Sequence, residues 1–145
     1  MLYFAYASNL NRAQMKRRCP GSRYVGTARL EGHRFVYDGF SVAWGGAVGN
    51  IVKSEAEGVW GALFDISETD RLTLDGFEGY PRAYDRAEVE VKDKDGEARR
   101  ALAYFRTGRA LGKPHPDYER TVLEGAKECA LPEEYVDRYL RVVRM

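Results

Sequence analysis

Glu78 is the residue of this 145-residue chain whose surroundings best suit proton transfer. It lies in the segment 76–84, GFEGYPRAY, directly after Phe77 and two residues before Tyr80. A carboxylate held against aromatic surface loses hydration, so its pKa rises toward the working pH of a general base. No second catalytic carboxylate, histidine or cysteine is obvious nearby, so Glu78 would act alone. The competing interpretation is an acid on a surface turn that pairs with Arg82.

The N-terminal segment 2–10, LYFAYASNL, predicts a hollow in which such a carboxylate could work. Residues 2–6 are apolar and rich in aromatics, without charge, Gly or Pro, which suits a buried strand. Small and turn-forming residues end this strand, and Asn9 or Asn11 could cap a helix that begins near Arg12. Such a junction directs backbone N–H groups into a shared hollow, which can bind an anion or a carbonyl oxygen that acquires charge. The alternative is a plain tight connection.

Length and composition are those of an ordinary soluble globular protein. The chain length predicts a single domain spanning 1–145, and 44% of the residues are hydrophobic and 31% charged. The net charge of +1 argues against a general polyanion binder. The first 35 residues are nevertheless basic, which indicates either a solvated face or a site for an anionic substrate. Because no recognition-helix pattern is present, we expect no nucleic-acid partner.

The cysteines and histidines give little support to a metal site or a thiol nucleophile. Cys19 and Cys129 lie at opposite ends of the chain, and reduced cytoplasmic thiols suit them better than a disulfide framework. His33 and His115 are the two histidines, and no cysteine pair has ligand spacing, so we expect no metal. No signal peptide and no stretch of ~20 apolar residues is visible, so we expect a cytoplasmic protein without a membrane partner.

The first half of the chain is predicted to be mainly β-structure after a short helix over 11–18. In the segment 24–38 the residue types alternate as in a strand, and Glu31 and Gly32 interrupt this alternation near the centre. The pattern predicts two strands or one strongly bent strand. Residues 39–50 are rich in glycine, and a flexible hairpin connection suits them better than a phosphate loop. Residues 51–52 and the nearly all-apolar 59–66 predict two further strands, the second deeply buried.

The middle of the chain predicts a short helix followed by a β-hairpin. Residues 67–75 suit a helix that Ser67 caps and Gly76 ends. Residues 84–92 and 99–106 are predicted to form antiparallel strands, because they flank an Asp-Gly turn and the first alternates apolar and charged residues.

The C-terminal third predicts a loop and two helices. The loop 107–116 contains Gly and Pro and could overlie a cavity. Asp117 is expected to cap a helix that runs to Cys129, and Pro132 to open a final helix. The core-facing positions of these two helices are Tyr118, Val122, Leu123, Ala126, Tyr135, Val136, Tyr139, Leu140 and Val143.

Several of these segments together resemble the γ-glutamylcyclotransferase family of the AIG2-like superfamily. Residues 6–10 match its YGSNL signature with Ala7 in place of glycine, and a positive φ at this position would strain alanine. Glu78 falls in the family pattern Leu-Asp-x-x-Glu-Gly, and the C-terminal motifs follow in order as PDY at 116–118, GAKE at 125–128 and LPEEY at 131–135. The resemblance implies an α+β fold, a small mixed β-barrel surrounded by short helices.

The resemblance also implies a reaction and its residues. A γ-glutamyl amide would be cyclised to 5-oxoproline with release of an amine or amino acid, and Glu78 would be the catalytic base and acid. The substrate-binding residues would be Tyr3, Tyr6, Ala7, Ser8, Asn9, Leu10, Tyr84 and Tyr118, with an ordinary core tyrosine as the alternative for the last two. The partner would be the small-molecule substrate, and no metal, nucleotide or other cofactor is required.

The resemblance leaves the substrate and the assembly open. The compound could be a γ-glutamyl amino acid, a γ-glutamylamine or a γ-glutamyl-protected intermediate, and the segments 39–50 and 107–116 are where we expect that choice to be made. The other two classes are a non-catalytic member that keeps the small-molecule pocket, and an anion or nucleic-acid binder that uses the basic N-terminal residues. A homodimer also remains open.

Overall fold

The barrel is built around two long antiparallel strands. The computed structural model describes residues 1–142, within which β2 (Arg23–Ser41) and β3 (Gly46–Asp65) pair along most of their length. In the second half of β3, Val59, Ala62 and Leu63 are fully buried. The continuous apolar segment of the sequence therefore does lie in the interior, as such a run predicts.

The opening segment forms the strand that closes the barrel. β1 (Leu2–Ala5) pairs antiparallel with β3 on one side and parallel with β5 (Ala98–Phe105) on the other. β4 (Asp85–Asp93) joins β5 to β2, so the order β1-β3-β2-β4-β5 returns to its start. The expected α+β fold, a small mixed barrel with helices around it, is confirmed.

The segment 24–38 is one bent strand rather than two. The pairing of β2 with β3 shifts register between Tyr24 and Gly26 and again between Glu31 and His33. Such β-bulges bend a strand and increase its twist without ending it. β2 therefore curves with the barrel wall as a single element.

Two further predictions for β3 are corrected. The strands expected at 51–52 and 59–66 are one, because β3 continues through the polar residues between them and pairs with β2 on both sides. The segment 39–50 is a connection only in part: the turn spans 42–45, and strand structure resumes at Gly46. Pairing with β2 thus outweighs the low strand propensity of the glycines in this segment.

The chain makes two helical turns directly after β1. A short 3-10 turn (Ser8–Leu10) comes first and was not predicted. α1 (Arg12–Arg18) follows, and Asn11 caps it by accepting the Gln14 N–H at 3.1 Å. The strand–turn–helix junction predicted from the sequence is therefore present, with Asn11 as the cap.

The helix α2 (Glu68–Glu78) begins as predicted but ends later. Ser67 and Asp70 cap its start by exchanging hydrogen bonds between side chain and backbone. Gly76 lies inside the helix, and Gly79 ends it with a left-handed backbone at φ 68°, which glycine adopts without cost. Glu78 is therefore the last residue of a helix and not part of a turn.

The C-terminal helices lie outside the barrel. α3 (Pro116–Glu128) is capped by His115, whose Nδ1 accepts the Asp117 N–H at 3.0 Å, so Asp117 is not the cap. α4 (Glu133–Tyr135) continues into a π-helical turn at Val136–Leu140. The predicted core positions Tyr118, Val122, Leu123, Ala126, Tyr135, Val136, Tyr139 and Leu140 are buried or partly buried, whereas Val143 lies outside the described residues. None of the helices in residues 1–142 has the length and apolar character required to traverse a bilayer.

The contact between α3 and the turn after β1 requires glycine. A Cβ on Gly125 would overlap the carbonyl carbon of Leu10 and the backbone nitrogen of Asn11. The side-chain amide of Asn11 donates to the Thr121 carbonyl at 3.3 Å, which ties the turn to the same helix. Backbone therefore packs directly on backbone, and α3 fixes the position of the turn.

We expect Gly125→Ala to destabilise the protein by about 1–3 kcal/mol, because the added methyl group forces the helix away from the turn. The matched control is Gly76→Ala, another glycine inside a helix, where an added Cβ meets nothing within 4 Å. This second change should raise the free energy of unfolding by about 0.5–1 kcal/mol. Urea denaturation of the three proteins measures both effects, and equal stabilities would contradict the packing described.

Candidate active site

The last turn of α2 carries Glu78 and is held in place through Asp75. Tyr104 on β5 donates its hydroxyl to Asp75 Oδ1 at 2.6 Å, and Arg71 and Arg86 form ion pairs with Oδ2. Residues three apart lie on the same side of a helix, so these contacts also fix where Glu78 points. The carboxyl of Asp75 is thus a positioning group for the end of the helix.

Hydrogen bonds around Asn9 fix the turn that follows β1. The buried Asn9 donates from Nδ2 to the Tyr3 hydroxyl at 3.0 Å. Its Oδ1 accepts from Gln14 Nε2 at 3.0 Å and from Arg18 Nη1 at 3.1 Å. The first N–H groups of a helical turn such as Ser8–Leu10 have no partner within the turn. The chain therefore presents a rigid turn with donors available to a ligand.

A cavity of about 370 Å³ is lined by this turn and by the end of α2. Its volume lies at the small end of the range for ligand pockets, which suits a small molecule. Eight of the nine residues that the sequence proposed for the site line it, namely Tyr3, Tyr6, Ala7, Ser8, Asn9, Glu78, Tyr84 and Tyr118.

Leu10 is the exception and does not belong to the cavity wall. Its side chain is fully buried in the core next to α3, where Gly125 leaves room for it. The 3-10 turn causes this difference, because successive side chains of a helical turn point in different directions. Leu10 anchors the turn and is withdrawn as a substrate-binding residue.

Ala7 and Gly49 meet at the cavity wall. Ala7 has a φ of −132°, so its position does not need the left-handed backbone that alanine resists. A Cβ on Gly49 would lie 2.7 Å from the Ala7 methyl group, so only glycine fits there. The Gly49 N–H donates to the Tyr118 hydroxyl at 2.9 Å, and its carbonyl accepts from the Tyr84 hydroxyl at 2.6 Å. One glycine backbone therefore orients both tyrosines.

Glu78 is half-buried and forms no ion pair with any residue in 1–142. Burial raises the pKa of its carboxyl from 4.5 to about 7, against the opposing charges of Arg18 and Arg106. Both guanidinium groups are hydrogen-bonded to other acceptors. The surface pairing with Arg82 does not form. Near pH 7, Glu78 therefore exists as both acid and base, as a proton shuttle requires.

The tyrosines of the cavity are neutral hydrogen-bonding groups. Burial, with a smaller contribution from the Glu78 charge, raises the pKa of Tyr3, Tyr6 and Tyr118 well above the ordinary value. Burial also raises the pKa of Tyr84 to about 12, although Arg106 opposes this shift. These phenols stay protonated at neutral pH, so Glu78 is the group that can exchange a proton there.

The arginines of the cavity were not identified from the sequence. Arg18, Arg106 and Arg109 all line it, together with Trp44 and Tyr104. Arg18 belongs to the basic N-terminal stretch, so one residue of that stretch lines the cavity. The three arginines come from separate elements, so no spacing in the sequence could have grouped them.

Neither cysteine is suited to act as a nucleophile. Both are free and buried, and burial raises the pKa of Cys19 to about 11 and of Cys129 to about 12. Within the described part of the chain, no group of three or more His, Cys, Asp or Glu residues is arranged to hold a metal ion.

The model of the AIG2-like family matches residues 58–139 of this chain, which include Glu78 and the barrel strands β4 and β5. Gamma-glutamylcyclotransferases of Mus musculus and Homo sapiens are each 30% identical over 142 residues, covering 94% of this chain and 76% of the relative. A solved gamma-glutamyl cyclotransferase structure superposes with a TM-score of 0.93 at 29% identity, over 99% of this chain and 88% of the other. The chain belongs to the γ-glutamylcyclotransferase family.

We expect Glu78→Gln to stabilise the protein at high pH. Because the folded-state pKa lies above the unfolded value of 4.5, the contribution of Glu78 to stability is full below pH 4.5 and is lost as pH rises through 7. Removing the buried charge should therefore raise the free energy of unfolding at pH 8 by on the order of 1–3 kcal/mol, with little change at pH 4.

The matched control is Glu68→Gln at the other end of the same helix. A hydrogen bond from Arg71 lowers the pKa of Glu68, so this substitution should lower stability at pH 8. Denaturant titrations at the two pH values measure both variants. Equal changes at Glu68 and Glu78 would contradict the dehydration of Glu78.

Proposed function

We propose that this chain cyclises a γ-glutamyl amide to 5-oxoproline and releases an amine or amino acid, with Glu78 as general base and then general acid. The observation that carries the proposal is an unpaired carboxyl with a pKa of about 7 in a small cavity beside residues 6–9. The gamma-glutamylcyclotransferase names of the mouse and human relatives support the same reaction.

The substrate supplies its own nucleophile. The α-amino group of a γ-glutamyl amide can attack the γ-carbonyl carbon and close a five-membered ring, so the enzyme has only to hold the folded conformer. At neutral pH this amine is protonated and cannot attack. Glu78 in its ionised form removes that proton, and the nitrogen lone pair then forms the new C–N bond.

The second half of the reaction returns the proton. Attack places negative charge on the γ-carbonyl oxygen, and backbone N–H groups of residues 7–9 would hold this oxygen or the substrate carboxylate. When the bond to the leaving nitrogen breaks, the protonated Glu78 donates to that nitrogen. The new ring nitrogen still carries one proton too many, and the ionised Glu78 takes up this proton and passes it to the released amine. The products are 5-oxoproline and a protonated amine, and the carboxyl returns to its ionised starting state.

The two tyrosines held by Gly49 use their hydroxyl groups differently. Tyr118 accepts the Gly49 N–H, so its own proton remains for an acceptor in the cavity. Tyr84 donates to the Gly49 carbonyl and also hydrogen-bonds to Arg106, so its ring is fixed in the cavity wall. We propose these roles for substrate orientation, together with the cavity-lining residues Tyr3 and Tyr6.

Glu78→Gln should lower kcat/KM for 5-oxoproline release by about 10²- to 10⁴-fold, the usual contribution of a general base. In the unsubstituted protein kcat/KM should fall as pH drops below about 7, because a protonated Glu78 cannot accept a proton. Release of 5-oxoproline from a panel of γ-glutamyl compounds, followed from pH 5 to 9, measures both effects.

Glu68→Gln, an exposed carboxyl of the same helix, is the control and should leave turnover unchanged. Full turnover by Glu78→Gln would remove the proposed mechanism. Binding of γ-glutamyl compounds without any 5-oxoproline release would point to the non-catalytic class instead.

We also infer a single domain in a reducing compartment such as the cytoplasm, with a small γ-glutamyl compound as the partner. The buried free thiols of Cys19 and Cys129 support a reducing location. A net charge of +1 supports the absence of a nucleic-acid partner. The homodimer remains a prediction, which light scattering tests.

A further inference from the structure

We propose that Asp38 is a positioning residue for the proton transfer at Glu78: it holds the Arg106 guanidinium in the barrel wall and so prevents an ion pair between Arg106 and the Glu78 carboxyl. This inference rests on the proposed function and adds to it a buried group that does not line the cavity. It follows from the contacts of Asp38, from the space left for the guanidinium and from the charges that face Glu78.

Asp38 is a fully buried carboxylate whose side-chain oxygens both accept from donors. Its Oδ1 accepts from Arg106 Nη2 at 2.5 Å, and its backbone carbonyl accepts from the same nitrogen at 3.1 Å. Its Oδ2 accepts from Asn50 Nδ2 at 3.1 Å and from the Arg109 backbone N–H at 3.0 Å. An amide of the same shape would turn an NH₂ group toward one of these donors, whereas a carboxylate accepts at both oxygens. The contacts at this position therefore require an acid.

The backbone of Arg106 is held separately from its side chain. Asn50 Oδ1 accepts the Arg106 N–H at 3.1 Å, and Asn50 Nδ2 donates to the Arg106 carbonyl at 3.0 Å. The side chain of Arg106 is only 9% exposed, and its guanidinium carbon lies 4.4 Å from the centre of the Tyr84 ring. A Cβ on Gly39 would lie 2.7 Å from Arg106 Nη2, so the missing side chain there leaves room for the guanidinium. The end of β5 is therefore fixed by Asn50, whereas the position of the charge depends on Asp38.

The charged groups that face Glu78 come from several elements. Arg18 at the end of α1 and Arg106 after β5 act on the carboxyl as positive charges, and the exposed Arg109 lines the same cavity. The other titratable groups that face it are phenols whose raised pKa keeps them protonated at neutral pH, namely Tyr3, Tyr6, Tyr84, Tyr104 and Tyr118. Arg18 is hydrogen-bonded to a neutral amide, that of Asn9, at 3.1 Å. Arg106 is therefore the cation whose charge a buried carboxylate balances.

Loss of the Asp38 charge would release Arg106 toward Glu78. The two side chains line one cavity, and Glu78 forms no ion pair within residues 1–142. A buried guanidinium without a counter-charge is costly, so the Glu78 carboxylate would become its partner. That ion pair would lower the pKa of Glu78 and leave a weaker base. Asp38 thus preserves the basicity of a residue on a different element of the fold.

Asp38→Asn tests the proposal through the pH dependence of Glu78. The midpoint of the acid limb of kcat/KM for 5-oxoproline release should fall from about pH 7 by about 1 pH unit or more, the effect of an adjacent cation on a carboxyl. Asp38→Asn combined with Arg106→Met also removes the released cation, so it should return the midpoint to about pH 7 or above. A merely structural role of Asp38 predicts no such return, because the second substitution disturbs the wall further.

Glu88→Gln is the matched control, because Glu88 also pairs with an arginine of the barrel, Arg100, and neither residue lines the cavity. It removes the same charge and should leave the midpoint unchanged. Gly39→Ala is a second route to the same effect, since its methyl group displaces the guanidinium while Asp38 stays in place, and it should also lower the midpoint. Circular dichroism with thermal melting reports whether each variant is folded.

The readouts separate this inference from the proposed function. Release of 5-oxoproline tests the reaction, whereas a carbon NMR titration of the Glu78 carboxyl, assigned by its loss in Glu78→Gln, gives the same midpoint without turnover. A fall in Asp38→Asn that the double variant reverses supports the positioning role. An unchanged midpoint in Asp38→Asn, an equal fall in the double variant, or an equal fall in Glu88→Gln overturns it. Failure of 5-oxoproline release with the NMR shift intact removes the reaction and leaves the control of the Glu78 carboxyl by Asp38.

Discussion

The candidate active site depends on one constraint: the carboxyl of Glu78 is dehydrated and forms no ion pair within residues 1–142, although two arginines lie near it. Arg18 and Arg106 both act on Glu78, and a direct ion pair with either would lower its pKa and remove it as a base near neutrality. Each guanidinium is instead hydrogen-bonded to another acceptor, Arg18 to Asn9 and Arg106 to Asp38. Burial can then dominate, and the carboxyl titrates near pH 7. The two competing acceptors are therefore as necessary as the carboxyl itself.

Three parts of the fold converge to maintain this arrangement. Asp75 ties the end of α2 to Tyr104 on β5, which fixes the position of Glu78. Gly125 lets α3 rest on the turn after β1, which fixes the donors opposite. Gly49 on β3 orients two tyrosines between them. Each contact joins segments far apart in the chain, so the geometry of the cavity belongs to the closed barrel.

The local rules of the sequence predicted most elements and misplaced some boundaries. The Ser67 cap, the Asn11 cap and the hairpin of β4 and β5 depend on neighbouring residues, and all three are present. The sequence predicts Gly76 as the end of α2 because glycine is a poor helix former, whereas Gly79 supplies the left-handed residue that ends the helix. The sequence predicts two strands where the single β3 lies, and pairing with β2 carries β3 through the polar residues between them. Where a helix ends and whether a strand is continuous depend here on residues far away in the chain, and a local sequence pattern does not identify those residues.

By itself the sequence determined which group could move a proton, since an acid between aromatic residues is a local feature, and it determined the turn that faces this acid. The family pattern around Glu78 and the signature at residues 6–10 extended this to a reaction. Only the tertiary structure decided that Leu10 turns into the core and that Arg106 and Arg109 enter the cavity. The physical reason is that the direction of a side chain and the burial of a charge depend on which distant segments pack against it. Closure of the barrel sets those neighbours.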